Sequence, residues 1–207
     1  MATQWEDPIR NTKTLSVFAG KSVTGGVWAS VFANALSEFN RLASTNKIGL
    51  KLVQSSTAPD PSGVGGADVQ FEAGNGIVKF TSFGQPVSVT VNGNALGGDT
   101  RQVITVVQGV QRVAKAFVVV PATPQIDAIP PRAAGAGVLL FIAVHELLHA
   151  AGLSNGDHNP SDVFAGSPQS RAGSTPADDK LEVNGPKRLP PLLLAAATIA
   201  RMTTLWP

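Results

Sequence analysis

The three histidines of the chain lie close together in the segment HELLHAAGLSNGDH, which contains His145, His149 and His158. Residues four positions apart lie on one face of a helix, so His145 and His149 can bind the same metal ion. Glu146 follows the first histidine and can hold a water molecule beside that ion. This H-E-x-x-H pattern predicts zinc-assisted hydrolysis, most often of peptide bonds.

A hydrolytic zinc site also needs a third protein ligand and an open position for water. The third ligand must come from a chain segment that leaves the helix and folds back towards it. Gly152 lies where the helix should end, and glycine tolerates the backbone conformation of such a break. His158 follows an Asn155-Gly156 turn. It is therefore the predicted third zinc ligand.

The predicted roles of the three residues in the motif follow from general zinc chemistry. Bound Zn²⁺ lowers the pKa of its water from ~15.7 to roughly 7. Glu146 would take the proton of that water and pass it to the leaving amine. The surrounding helix is almost entirely apolar. Burying His145, Glu146 and His149 there without a function would be costly, which favours a metal site over a chance match.

Composition excludes several other classes of protein. Only 14% of the residues are charged, against ~25% in typical soluble proteins, and 43% are hydrophobic, so a compact core is expected. The net charge is +2 and no cluster of Lys and Arg stands out, which argues against nucleic-acid binding. The chain has no cysteine. This excludes disulfides, thiolate zinc sites and a cysteine nucleophile.

No membrane association is expected from the sequence. The most apolar stretches, residues 133–148 and 190–199, are shorter than the ~20 residues that span a bilayer. The N-terminal residues lack the basic and apolar segments of a signal peptide. A secreted location stays open, because a mature form begins after its leader. The sequence predicts neither the compartment nor the oligomeric state.

The elements that must position the motif alternate between strand-like and helix-like segments. Strand patterns cover Thr14–Ala19 and residues 48–54, 67–72, 76–83, 87–91, 102–107 and 113–120. Helical periodicity predicts helices over residues 27–43, 138–151 and 192–205. A loop is expected at residues 57–66 and a linker at residues 121–137. The dipeptide Asn92-Gly93 predicts a hairpin turn between two of the strands.

The segment HELLHAAG resembles the first part of the metzincin metalloprotease motif, H-E-x-x-H-x-x-G-x-x-H. The preceding order of strands and helices is similar to the N-terminal lobe of matrixins, where the active-site helix lies under a twisted mixed sheet. The resemblance implies an α+β, zincin-like fold. Residues 1–152 would form the N-terminal lobe with the active-site helix. Residues 153–207 would form a smaller C-terminal lobe with the third ligand and a final helix.

The chain departs from the family pattern in three ways. Asn155 stands at the usual third-ligand position, and because neutral Asn is a poor zinc ligand, His158 or else Asp157 would replace it. The chain's two methionines do not match the family's methionine turn, so a segment ending in Phe164 is the expected counterpart, with Phe164 as its apolar floor. The chain contains no tyrosine. Oxyanion stabilisation would then come from zinc with backbone amides or an arginine.

Two functions are consistent with these residues. The first is a zinc-dependent metalloendopeptidase whose protein or peptide substrate lies between the lobes and pairs with an edge strand within residues 76–120. The second is a binding or assembly protein that keeps a structural zinc. A third ligand from a distant glutamate would have to be Glu182, which is expected to be a solvated surface residue.

Overall fold

The protein is an α+β structure built on a mixed, twisted β-sheet. The computed structural model describes residues 3–126, 131–154, 163–165, 167–169, 180–182, 186–188 and 192–207. The first seven strands are β1 (Thr14–Ala19), β2 (Lys51–Ser55), β3 (Val69–Gly74), β4 (Gly76–Ser82), β5 (Gln85–Val91), β6 (Asp99–Val107) and β7 (Val110–Pro121). Five of them form the main sheet, in the order β2-β1-β3-β7-β6.

The strands of the main sheet are parallel except for β6, which runs antiparallel to β7 at the edge. In β7 every residue from Val113 to Pro121 is buried. A strand covered on both faces needs such a continuous apolar run, which explains the sequence AFVVVP. The edge strand β6 is only partly buried along its length.

One face of the sheet is covered by helices. The helices of the described part are α1 (Asp7–Thr12), α2 (Lys21–Thr24), α3 (Ala29–Thr45), α4 (Ala136–Ala150) and α5 (Ala196–Leu205). In α3 the buried residues recur at helical spacing, as in Ala35, Phe39 and Leu42, so this helix presents one apolar face to the core. Nearly all of α4 is buried, which is why its sequence is apolar all round.

The β4–β5 hairpin covers the other face of the sheet. Phe80 of the hairpin stacks on Phe117 of β7, with ring centroids 4.5 Å apart. Because side chains alternate along a strand, Phe117 and Val119 pack against the hairpin while their neighbours face the helices. The hairpin turns at Phe83-Gly84, where φ is 51° and 67°, as in the two-residue turns that match strand twist.

The prediction of a hairpin turn at Asn92-Gly93 is therefore wrong. This dipeptide lies between β5 and β6, and these two strands do not pair in the described sheets. The second tight turn, between β6 and β7, is Gln108-Gly109, with φ of 51° and 78°. In both turns a residue other than Asn or Asp adopts positive φ before the glycine, so the usual sequence signal is missing.

Most other elements are confirmed, with shifted ends. Strand β1 has the predicted bounds. The predicted helix 27–43 is α3, two residues later, because the short α2 and a turn precede it. The predicted strand 48–54 begins only at Lys51. The predicted helix 192–205 begins at Ala196, because residues 193–195 are extended and hydrogen-bonded to residues 163–165.

Short strands complete the described chain. Strands β8 (Gln125–Ile126) and β9 (Arg132–Ala133) pair within the predicted linker. Strands β10 (Ser167–Gln169), β11 (Lys180–Glu182) and β12 (Pro186–Arg188) form a small antiparallel sheet, so Glu182 lies in a strand. Across the residues that the structure describes, no helix has the length and apolar character needed to cross a membrane.

Candidate metal site

His145 and His149 lie one turn apart near the C-terminal end of α4, as the sequence predicts. Their Nε2 atoms are 3.0 Å apart. Nitrogens at this distance either share a proton or contact the same cation. A single ion could contact both at the ~2.0–2.1 Å typical of zinc and histidine nitrogen, so the pair fits a zinc ion.

The ring of His149 is fixed by a second contact. Its Nδ1 atom lies 2.9 Å from the carbonyl oxygen of Leu153, in a buried position. A carbonyl can only accept a hydrogen bond, so Nδ1 of the neutral imidazole carries the proton. The lone pair is then on Nε2, which points to His145. Metal-binding histidines usually have such a partner on the other ring nitrogen.

Gly152 ends the helix as predicted. Its φ is +112°, and its amide donates a hydrogen bond to the carbonyl of His149, at 3.0 Å. A β-carbon at this position would lie 2.7 Å from the carbonyl oxygen of Thr3. The reversal of the chain at Gly152 also places the Leu153 carbonyl beside His149, which links the helix end directly to the orientation of the imidazole.

The last carbonyls of the helix accept hydrogen bonds from distant parts of the chain. Carbonyls at a helix end have no partner within the helix, and when buried they need one. The three donors are Gln102 to His149, Trp5 to Ala150 and Trp206 to Ala151, at 2.7, 2.9 and 2.8 Å. The N-terminal segment, strand β6 and the C-terminus therefore all hold the end of α4 that carries the histidines.

Glu146 lies in the interior, where its side chain is covered by the start of β6. Only 3% of its surface is exposed. The Thr100 hydroxyl donates a 2.8 Å hydrogen bond to its Oε2 atom, and the Gly98 amide donates another. Burial raises the pKa of Glu146 to about 7; the Thr100 hydrogen bond lowers it, the Asp99 charge raises it, and the Gly98 amide lowers it.

Phe164 lies beside the histidine pair. Its ring is buried, with its centroid 4.6 Å from that of Phe141 and 6.3 Å from that of His145. The segment around Phe164 is held by two backbone hydrogen bonds to the residues before α5. An apolar ring therefore lies near His145, and its role as the floor of a metal site stays a prediction.

The predicted third ligand cannot be located in this site. His158 and its alternatives Asp157 and Asn155 lie outside the described residues. Within the described residues, no three His, Cys, Asp or Glu side chains come together in a group that could hold a metal ion. The two histidines of α4 are thus the part of the predicted ligand set that the structure brings together.

A cleft of about 280 Å³ opens beside His149. One wall is strand β6, with Thr100, Gln102 and Ile104, and the other is the end of α4, with Leu153. Sequence reasoning missed the contribution of Thr100 and Gln102. Each lies far along the chain from α4 and belongs to no catalytic motif. The one unusual local feature of the sequence is the double glycine, Gly97-Gly98, before Asp99.

No family model matches this chain, and no curated protein matches its sequence. Its function has to be inferred from its own residues. The site combines two imidazoles whose nitrogens converge, one buried carboxyl group with a raised pKa and a cleft bordered by an edge strand. Two imidazoles in this arrangement are a partial ligand set for a cation, and a carboxyl group with a pKa of about 7 can exchange a proton near neutral pH.

Proposed function

We propose that the protein is a zinc-dependent metalloendopeptidase. The observation that carries this proposal is the histidine pair, whose Nε2 atoms lie 3.0 Å apart while Leu153 fixes the outer nitrogen of His149. A hydrogen bond at Nδ1 keeps the proton on that nitrogen and the lone pair on Nε2, the atom that would bind the metal. His145, His149 and His158 would hold the ion, with Asp157 or Asn155 as alternatives to His158.

Bound zinc would supply a Lewis acid that polarises the peptide carbonyl and lowers the pKa of the attacking water. Glu146 would take a proton from that water and deliver it to the leaving amine. The hydrogen bonds from Thr100 and Gly98 would orient the carboxyl group during this exchange. A general base works best when its pKa is close to the working pH, and burial raises the pKa of Glu146 towards that range in the metal-free protein.

The fold supports the same proposal. The mixed sheet and the buried helix α4 agree with the arrangement expected from a metzincin-like N-terminal lobe. Residues 1–152 would form that lobe and residues 153–207 the smaller one, with Phe164 replacing the methionine turn. An extended peptide would pair with the outer edge of β6, which borders the cleft beside His149.

The Glu146→Gln variant tests the proposed mechanism. It keeps the size of the side chain but removes the base, so we expect full zinc content and at least ~10²-fold slower cleavage of a peptide library. Glu72→Gln, on β3 in the main sheet, is the matched control and should cleave normally. If the wild-type protein, fully loaded with zinc, cleaves no peptide, the proposed activity is wrong.

Zinc content of three further variants identifies the third ligand. We expect His158→Ala to lose most of the bound zinc, while Asp157→Ala and Asn155→Ala retain it. His145→Ala provides the reference for loss of a ligand on α4. Normal zinc content in His158→Ala with loss in Asp157→Ala would assign the aspartate instead.

One observation favours the alternative, a binding or assembly protein with a structural zinc. The carboxyl group of Glu146 is enclosed and accepts hydrogen bonds from Thr100 and Gly98, as a purely structural group would. This alternative predicts that zinc removal lowers the melting temperature while the zinc-loaded protein cleaves no peptide. Measuring both properties on one preparation separates the two functions.

A further inference from the structure

A second, larger cleft lies on another part of the surface. It has a volume of about 800 Å³ and is formed by the N-terminal segment, the start of β7 and helix α5. Val110 and Leu205 give it apolar walls, and Gln4, Arg112 and Arg201 give it polar ones. A cleft of this size can enclose several residues of a peptide.

The charge that lines this cleft is positive. Among the residues that the structure describes, its charged lining consists of Arg112 and Arg201, without Asp or Glu. Arg112 donates a 2.8 Å hydrogen bond to the neutral side chain of Gln4. Among the described residues, neither arginine forms an ion pair, whereas Arg10 and Arg41 both pair with carboxylates. Two unneutralised guanidinium groups in one cleft favour a ligand that carries carboxylates.

The larger cleft is adjacent to the cleft beside His149. Thr3 lines both of them, and the Thr3 amide donates a hydrogen bond to the Gly152 carbonyl at the end of α4. Because Thr3 borders both clefts, an extended peptide held at the histidine site is long enough to reach the arginines as well. This adjacency favours an extended peptide over a free anion as the occupant.

We propose that this cleft binds an acidic segment of the peptide substrate through Arg112 and Arg201. The proposal rests on the proposed peptidase function, which it extends by naming the substrate class. The carboxylates of neighbouring Asp or Glu residues would pair with the two guanidinium groups, and the apolar walls would contact the side chains between them.

Direct binding tests this proposal without cleavage. The Glu146→Gln protein is titrated with a fluorescent peptide that carries two glutamates, and with the same peptide carrying glutamines. We expect the acidic peptide to bind more tightly, and Arg112→Gln with Arg201→Gln to weaken it on the order of tenfold, the effect of losing two partly exposed ion pairs. Lys51→Gln with Lys79→Gln removes the same charge elsewhere and should change nothing.

A positional scan then separates a defined site from general attraction to a basic protein. The glutamate pair is moved one residue at a time along a peptide, and kcat/KM of the wild-type protein is measured. A preferred distance from the cleaved bond that disappears in the double arginine variant supports the proposal. Equal values at all positions, or tighter binding of a single-stranded oligonucleotide, would overturn it.

The two proposals fail in different ways. Arginine-dependent binding of the acidic peptide by a protein that cleaves nothing would leave the acidic-peptide site standing and overturn the peptidase. Cleavage without any preference for acidic peptides would support the peptidase and overturn the acidic-peptide site.

Discussion

Glu146 is a carboxyl group in an apolar interior, and such a group is costly to bury without hydrogen-bond donors. Both donors in the structure come from one short stretch, the Gly98 amide and the Thr100 hydroxyl. The backbone at residue 98 can approach the Glu146 side chain this closely only because glycine has no side chain. A β-carbon there would lie 2.8 Å from Cγ of Glu146 and 2.7 Å from the carbonyl oxygen of Val119.

We therefore expect Gly98→Ala to be damaging and Gly97→Ala to be nearly neutral. The first substitution meets a backbone carbonyl of a central strand, which cannot move aside, so it should lower the free energy of unfolding by ~1–3 kcal/mol. A β-carbon at Gly97 meets nothing within 4 Å. Urea denaturation of the two variants checks the stability, and peptide cleavage checks the position of Glu146. Equal stability of both would contradict this close packing.

The central residues of the site could be predicted because their chemistry and their spacing lie in one helix. His145, Glu146 and His149 need only helical periodicity to come together. Gly98 and Thr100 reach Glu146 through the pairing of β6 with β7 and the packing of β7 on α4, and no local pattern encodes such a contact. A single sequence therefore predicts the residues of the motif but not the donors that hold them.

At the scale of elements, helix α3 is joined to the segment before α5 by Glu38. Its carboxylate accepts hydrogen bonds from Arg41, at 2.7 Å, and from the amide of Leu192, at 2.8 Å. Partial burial raises the pKa of Glu38, but these hydrogen bonds and the charge of Arg41 outweigh it, so the pKa is lowered overall. The contact therefore stabilises the fold in the ionised state.

This contact gives stability a defined pH dependence. The pKa of Glu38 is lower in the folded than in the unfolded chain. Its contribution to stability is therefore fully present above pH ~4.3, the unfolded pKa, and is lost as the pH falls through the pKa of the folded protein. We expect Glu38→Gln to lower the free energy of unfolding by about 1 kcal/mol at pH 7, and by less below pH ~4. Denaturation of both proteins across this pH range measures the difference.

The exposed pair of Asp7 and Arg10 provides a control for the Glu38 prediction. The Asp7 side chain is 66% exposed, so Asp7→Asn should change stability by less than ~0.5 kcal/mol at any pH. If Glu38→Gln behaves like Asp7→Asn, the contact between α3 and the C-terminal segment contributes little. That result would contradict the role assigned to Glu38.

The sequence predicted most elements but placed several ends wrongly, and the errors share a cause. The apolar residues Leu192 and Leu194 continue the pattern of α5, yet the backbone beside them pairs with residues 163–165 and stays extended. Ile48 and Leu50 are buried like strand residues but precede β2. In both cases burial explains why the residues are apolar. The backbone conformation, however, is determined by a long-range hydrogen bond or by a turn.

At the scale of the whole molecule, the end of α4 is the point where distant parts of the chain meet. Trp5 near the N-terminus and Trp206 near the C-terminus each donate an indole hydrogen bond to one of its last carbonyls. Both rings are fully buried. The end of the helix determines the position of the Leu153 carbonyl, and this carbonyl orients the ring of His149. The two chain ends are therefore coupled to the proposed metal site.

Replacing each tryptophan by phenylalanine keeps most of the ring and removes the indole donor. We expect Trp5→Phe and Trp206→Phe each to lower the free energy of unfolding by ~1–3 kcal/mol, because a buried carbonyl loses its partner. Each should also weaken zinc binding, but by less than the ~10–100-fold typical of a direct partner of a metal-binding histidine, because the indoles act through the Ala150 and Ala151 carbonyls. Competition with a zinc chelator measures the affinity, and urea denaturation measures the stability.

Trp28→Phe is the matched control for these two variants. Its indole donates a buried 2.7 Å hydrogen bond to the Pro121 carbonyl, at the end of β7 rather than of α4. This variant should lose a similar amount of stability, for the same reason, but keep its zinc affinity. If all three variants lose zinc affinity equally, the metal site responds to general loosening of the fold. A loss confined to Trp5→Phe and Trp206→Phe would show that the chain ends act through the end of α4.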